Sequence, residues 1–141
     1  MIGFNHTLAG VLVGAVVSPV YIPVVALFSH FVMDALPHFG KSITFTPYTR
    51  PFKALLLLDA HACFAVLGFG WWVFPEHHLA VTVGAIFATL PDFLWTLEHK
   101  VKWLQPYFTF AKKIQWAETP NGWTYELLFF CLFALALVLI A

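Results

Sequence analysis

Five apolar stretches alternate with short polar segments along the chain: about Phe4 to Val17, Val20 to Leu36, Lys53 to Phe74, Leu79 to Leu97, and Trp123 to Ala141. The intervening segments carry nearly all the charges, the pattern that separates membrane helices from their loops. The first boundary, Ser18-Pro19-Val20-Tyr21-Ile22-Pro23, reads either as a turn between two short helices or as a kink in one long one. The turn is favoured, because a single helix from Thr7 to Leu36 would be about 45 Å long against a hydrocarbon core of about 30 Å. A sixth, shorter pattern lies between the last two stretches. Trp103, Tyr107, Phe110 and Ile114 recur at spacings of four, three and four, with Lys112 and Lys113 off that stripe and Pro106 at its start. This predicts a short amphipathic helix in the membrane interface. Thr119-Pro120 reads as the start of the last spanning helix. Gly10 and Gly14 form a G-x-x-x-G pair suited to close helix packing.

The fold class expected is therefore all-α: one integral-membrane domain over residues 1–141, a polytopic bundle of about five transmembrane helices plus the interfacial helix. Composition agrees. The chain is 61% hydrophobic and only 10% charged, well below the roughly one quarter of charged residues usual in soluble domains. The formal net charge of zero speaks against a nucleic-acid binder. Cys63 and Cys131 both lie in apolar runs, which speaks against a disulfide scaffold. With five helices, every Lys and Arg falls on one face: Lys41, Arg50, Lys53, Lys100, Lys102, Lys112 and Lys113. By the positive-inside rule that face is cytoplasmic, with the N-terminus inside and the C-terminus outside a bacterial or archaeal inner membrane.

Seven ionisable residues interrupt the apolar runs: His6, His30, Asp34, His38, Asp59, Asp92 and Glu126. Each costs about 2.5–3.5 kcal/mol on insertion scales, so each calls for a compensating partner. The five-helix topology places all seven at the cytoplasmic end, switching between helix starts and ends as the helices alternate in direction. His30, Asp34 and His38 recur at i, i+4 and i+8, one stripe of a helix that Pro37 loosens at its end. Three imidazoles and four carboxylates make a nitrogen and oxygen ligand set suited to a divalent transition metal, zinc first, with manganese or iron as alternatives. Four carboxylates in a low-dielectric bundle would be neutralised by two such ions, and helical bundles build dinuclear sites in this way. His61, His77 and His78 are set aside, and His99 is a candidate outer ligand.

The run Ser29-His30-Phe31-Val32-Met33-Asp34-Ala35-Leu36-Pro37-His38 looks like the H-x-x-x-D element of a bacterial inner-membrane family described as membrane-bound metal-dependent hydrolases. Asn5-His6-Thr7-Leu8-Ala9-Gly10 resembles that family's Thr-His-x-x-x-Gly element, with Asn in place of Thr, and Leu90-Pro91-Asp92 resembles its Leu-Pro-Asp. The His30 to His38 run is also similar to a stretch in zinc-dependent phospholipases C and S1/P1-type nucleases, where such residues hold a zinc cluster that cleaves phosphoesters. The resemblance implies a metal-dependent hydrolase.

On this reading the metal lowers the pKa of a water toward neutrality, with Glu126 or Asp92 as the general base. Lys100, Lys102, Lys112 and Lys113 beside interfacial aromatics would attract the headgroup of an anionic lipid or polyprenyl phosphoester from the inner leaflet. The expected partners are membrane lipids and that substrate, and a homo-oligomer is compatible. Two other readings compete: a proton or metal-ion pathway, and a small structural or haem-binding subunit of a membrane complex.

Overall fold

A computed structural model describes residues 1–40, 49–98 and 100–141, so Lys41 and His99 lie outside the described residues. It is all-α, with six helices: α1 Gly3–Val16, α2 Ile22–Asp34, α3 Arg50–Val73, α4 His78–Leu94, α5 Gln105–Ile114 and α6 Trp123–Ile140. The five apolar stretches become α1, α2, α3, α4 and α6, and the amphipathic pattern becomes α5. Three segments are long and apolar enough to cross a membrane: Arg50–Val73, Pro75–Leu97 and Trp123–Ile140. At 1.5 Å per residue, α1 and α2 are only about 20 Å long.

The chain does turn at Ser18. Val17 and Ser18 are extended, Pro19–Tyr21 form a 3-10 turn, and α2 returns alongside α1. The start of α3 is set by Thr49, whose hydroxyl accepts from the Phe52 amide at 3.4 Å, with Pro51 in the first turn. The start of α6 departs from expectation. Thr119 does not cap it; the helix begins at Trp123 after Gly122. Glu118–Thr119 instead forms a two-residue strand, β2, parallel to β1 at His38–Phe39. The Thr119 carbonyl accepts from the Gly40 and Gly122 amides at 3.0 and 3.1 Å, so Thr-Pro closes a turn that ties the end of α2 to the start of α6.

Helix α1 is the central pillar, in contact with α2, α3, α4 and α6. Its tightest neighbour is α4, against which the G-x-x-x-G face lies: a Cβ at Gly10 or Gly84 would run into the other's backbone. Deeper along the bundle, Leu8, Val11, Phe74, Val81, Ala85 and Leu137 form a dry core. By contrast α3 and α6 bury almost nothing within the chain beyond Gly70, Glu126 and Leu137, which leaves most of their apolar side chains facing outward.

Candidate metal centre

Successive residues on a helix point about 100° apart, so the first turn of α1 sends its side chains and amides to different neighbours. The polar residues of the other helices meet it there, at one end of the bundle, and they sort into two groups.

The first group faces α3 and α6. Three amides at the start of α1 have no carbonyl four residues earlier, and its N-cap Ile2 has no side chain able to serve them. Two carboxylates from other helices take them instead. Asp59 of α3 accepts from the Gly3 and Phe4 amides, each at 3.0 Å. Glu126 of α6 accepts from the Ile2 amide at 3.3 Å, from the Phe39 amide at 3.1 Å and from the Asn5 amide group at 2.7 Å. Asn5 also donates to the Glu126 carbonyl at 3.1 Å. These carboxylates balance the positive end of the α1 dipole.

The second group faces α2 and α4. His6, His30, Asp34 and Asp92 present ligand atoms that all lie within 4.8 Å of one another, and together they could hold a metal ion. Asp34 is the centre of the group: His6 Nε2 lies 3.2 Å from its Oδ1 and His30 Nε2 lies 3.2 Å from its Oδ2. Asp92 lies at 4.0 Å from His6 Nε2 and 3.9 Å from His30 Nε2. The two imidazoles stack with centroids 4.0 Å apart and planes at 24°. His6, His30 and Asp34 are buried, whereas the Asp92 side chain is 34% exposed and forms the open flank.

Hydrogen bonding decides what this group asks for. His30 Nδ1 lies 2.8 Å from the Ala88 carbonyl, which only accepts, so Nδ1 carries a proton and Nε2 is the nitrogen that faces Asp34. His6 is fully buried and neither of its ring nitrogens has a hydrogen-bond partner among the described residues. An imidazole nitrogen facing a carboxylate needs a proton or a metal ion between the two, and a single shared metal ion would serve both rings without placing two imidazolium charges in one stack. The Met1 nitrogen also lies 2.6 Å from Asp34 Oδ1.

A neutral outer shell comes from the segment around α5, whose lysines the sequence points toward a headgroup. Gln115 donates to Asp34 Oδ2 at 2.9 Å. The Tyr107 hydroxyl donates to the Pro91 carbonyl at 3.1 Å, beside Asp92, and burial pushes its phenol up to about 12, so it stays a neutral donor. The face of α5 buried against the rest of the chain is Phe108 and Ala111, while Trp103 and Phe110 of the apolar stripe are exposed.

Of the seven residues expected around the metal, the structure thus brings four together. Asp59 and Glu126 hold the start of α1. His38 leaves the stripe because α2 ends at Asp34; it sits in β1, with its Nδ1 donating to the Leu36 carbonyl at 2.7 Å. Among the four rim lysines, Lys112 pairs with Glu98 and lies over the Trp95 ring, while Lys100, Lys102 and Lys113 are exposed. No protein-family model matches this chain, and no curated protein or solved structure matches it either.

Proposed function

We propose that this protein is a membrane-embedded, metal-dependent hydrolase of a lipid or polyprenyl phosphoester, working at the cytoplasmic face of an inner membrane. The observation that carries the reading is the buried His6–Asp34–His30 arrangement, in which two stacked imidazoles turn Nε2 toward one carboxylate at 3.2 Å and His6 Nδ1 has no hydrogen-bond partner among the described residues. One divalent ion fits better than two, because Asp34 and Asp92 are the only carboxylates in the group and one ion neutralises them. Two imidazoles and two carboxylates suit zinc, with manganese or iron as alternatives.

The ion would supply Lewis acidity and water activation near neutral pH. His6, His30 and Asp34 would hold it. The general-base role falls to Asp92 rather than Glu126: Asp92 stands on the open flank with no direct hydrogen bond among the described residues, whereas Glu126 already serves three donors. Lys100, Lys102 and Lys113 on the rim would draw an anionic headgroup toward that flank. Ion translocation is the weaker reading, since Leu8, Val11, Val81 and Leu137 fill the bundle beyond the polar group and offer no polar step to the far end.

Purified protein loaded with Zn²⁺ should release phosphate or a phosphorylated headgroup from anionic lipid phosphoesters, and Asp92→Asn should lower kcat about 10²–10⁴-fold while still binding the metal. Metal-loaded protein without activity on any lipid or polyprenyl phosphoester would remove the hydrolase reading.

A further inference from the structure

The segment carrying α5 joins two features that have no reason to be adjacent in an anchor: an exposed basic-aromatic surface and a hydrogen bond to the centre of the metal group. On its outer side, Trp103 and Trp116 are 79% and 73% exposed, and Lys102 and Lys113 are exposed with no ion pair among the described residues. The nearby anion, Glu98, is already taken by Lys112. Exposed indoles between unpaired lysines match a bilayer surface bearing negative headgroups, with the rings at headgroup depth and the ammonium groups beside the phosphates. On its inner side the same segment is held by Phe108 and Ala111, by Phe110 edge-on to Phe31 of α2 at 5.4 Å, and by Gln115 on Asp34.

We infer that residues 102–116 seat on an anionic bilayer surface, and that this seating fixes Gln115 as the positioning residue of Asp34, so that metal affinity depends on the lipid. Gln115 gives Asp34 Oδ2 a neutral donor beside His30 Nε2, while Oδ1 faces His6 Nε2 and the Met1 nitrogen. Outer hydrogen bonds of this type set the orientation of ligating carboxylates, and their loss commonly costs about 10–100-fold in metal affinity. The inference rests on the metal reading of the site and adds its partner and its control.

The test uses the full chain in nanodiscs of phosphatidylglycerol or of phosphatidylcholine, with Zn²⁺ affinity measured by chelator competition and ligand geometry by the Co²⁺ absorption spectrum. Wild type should bind Zn²⁺ about 10-fold or more tightly in phosphatidylglycerol. Gln115→Ala should bind about 10–100-fold more weakly there, with an altered Co²⁺ spectrum and no remaining lipid dependence. Ions merely concentrated at an anionic surface would leave that dependence intact in Gln115→Ala. Lys102→Gln/Lys113→Gln, at exposed positions that should not disturb folding, should keep the wild-type Co²⁺ spectrum and lose the lipid dependence. Equal affinity of wild type in the two lipids, or wild-type affinity in Gln115→Ala, overturns the inference while leaving the metal site standing. Wild type that binds neither ion in either lipid overturns the metal reading, and this inference with it.

Discussion

On one side of α1, Asp59 and Glu126 are saturated by backbone amides and Asn5; on the other, Asp34 and Asp92 face two imidazoles, His6 and His30, whose Nε2 atoms both lie 3.2 Å from Asp34. Both groups are carboxylates at the same end of the same bundle, and each pairs a buried one, Glu126 or Asp34, with a half-buried one, Asp59 or Asp92. The difference is in what surrounds them. Donors that come from a helix terminus make a carboxylate structural, because the pair completes the hydrogen bonding of both partners. Imidazole nitrogens that share one carboxylate leave a deficit of positive charge, which a metal ion supplies. The two groups therefore should respond to substitution in opposite ways.

The largest effect is expected in the His/Asp group. Asp34→Asn or His30→Ala should cut phosphoester hydrolysis at least about 10³-fold in protein that still folds, equivalent to about 4 kcal/mol of lost transition-state stabilisation. Steady-state kinetics and thermal melts of the same preparations check this. Glu126→Ala should do the reverse: three donors, the buried Asn5 amide group and the half-buried Ile2 and Phe39 amides, lose their acceptor at about 1–3 kcal/mol for the buried one and less for the others, so yield and melting temperature should fall while any folded fraction still binds metal. Chelation comes next. Removing the ion should destabilise wild type by about 2.7 kcal/mol relative to protein at a hundredfold excess over Kd, and should leave His30→Ala unaffected. Asp59→Ala, which strips a cap from two amides, should cost about 1–2 kcal/mol without moving metal affinity, as chemical denaturation in detergent would show. A metal affinity that fell with Asp59→Ala would erase the distinction between the two sides of α1.

Much of this was legible in the sequence, for physical reasons that also mark where legibility stops. Hydropathy placed the helices and the Ser18 turn because burial and chain length leave few alternatives. The i, i+4 spacing of His30 and Asp34 survives folding because it lies within one helix. Which carboxylate joins which group depends on the azimuth of α1, where Asn5 reaches Glu126 and the next residue, His6, reaches Asp34. No local pattern encodes that. His38 was misplaced because the chain leaves α2 at Asp34, before the stripe can carry it round, and pairs His38 with Glu118 instead. Gln115 carried no signal of its own: a neutral amide at the end of an amphipathic stretch reads as surface until tertiary packing lays it against Asp34. Thr119-Pro120 has the chemistry of a helix start, and the Thr119 carbonyl accepting from Gly40 and Gly122 turned it to another use.

The central claim, that the face of α1 bearing His6 holds metal and the face bearing Asn5 does not, is tested most directly by elemental analysis of protein purified without added metal. Wild type should carry about one equivalent of a divalent transition metal; His30→Ala should carry none, and Glu126→Gln, which keeps a carbonyl acceptor for the α1 amides, should carry the wild-type amount. Metal retained by His30→Ala, or lost from folded Glu126→Gln, would contradict it.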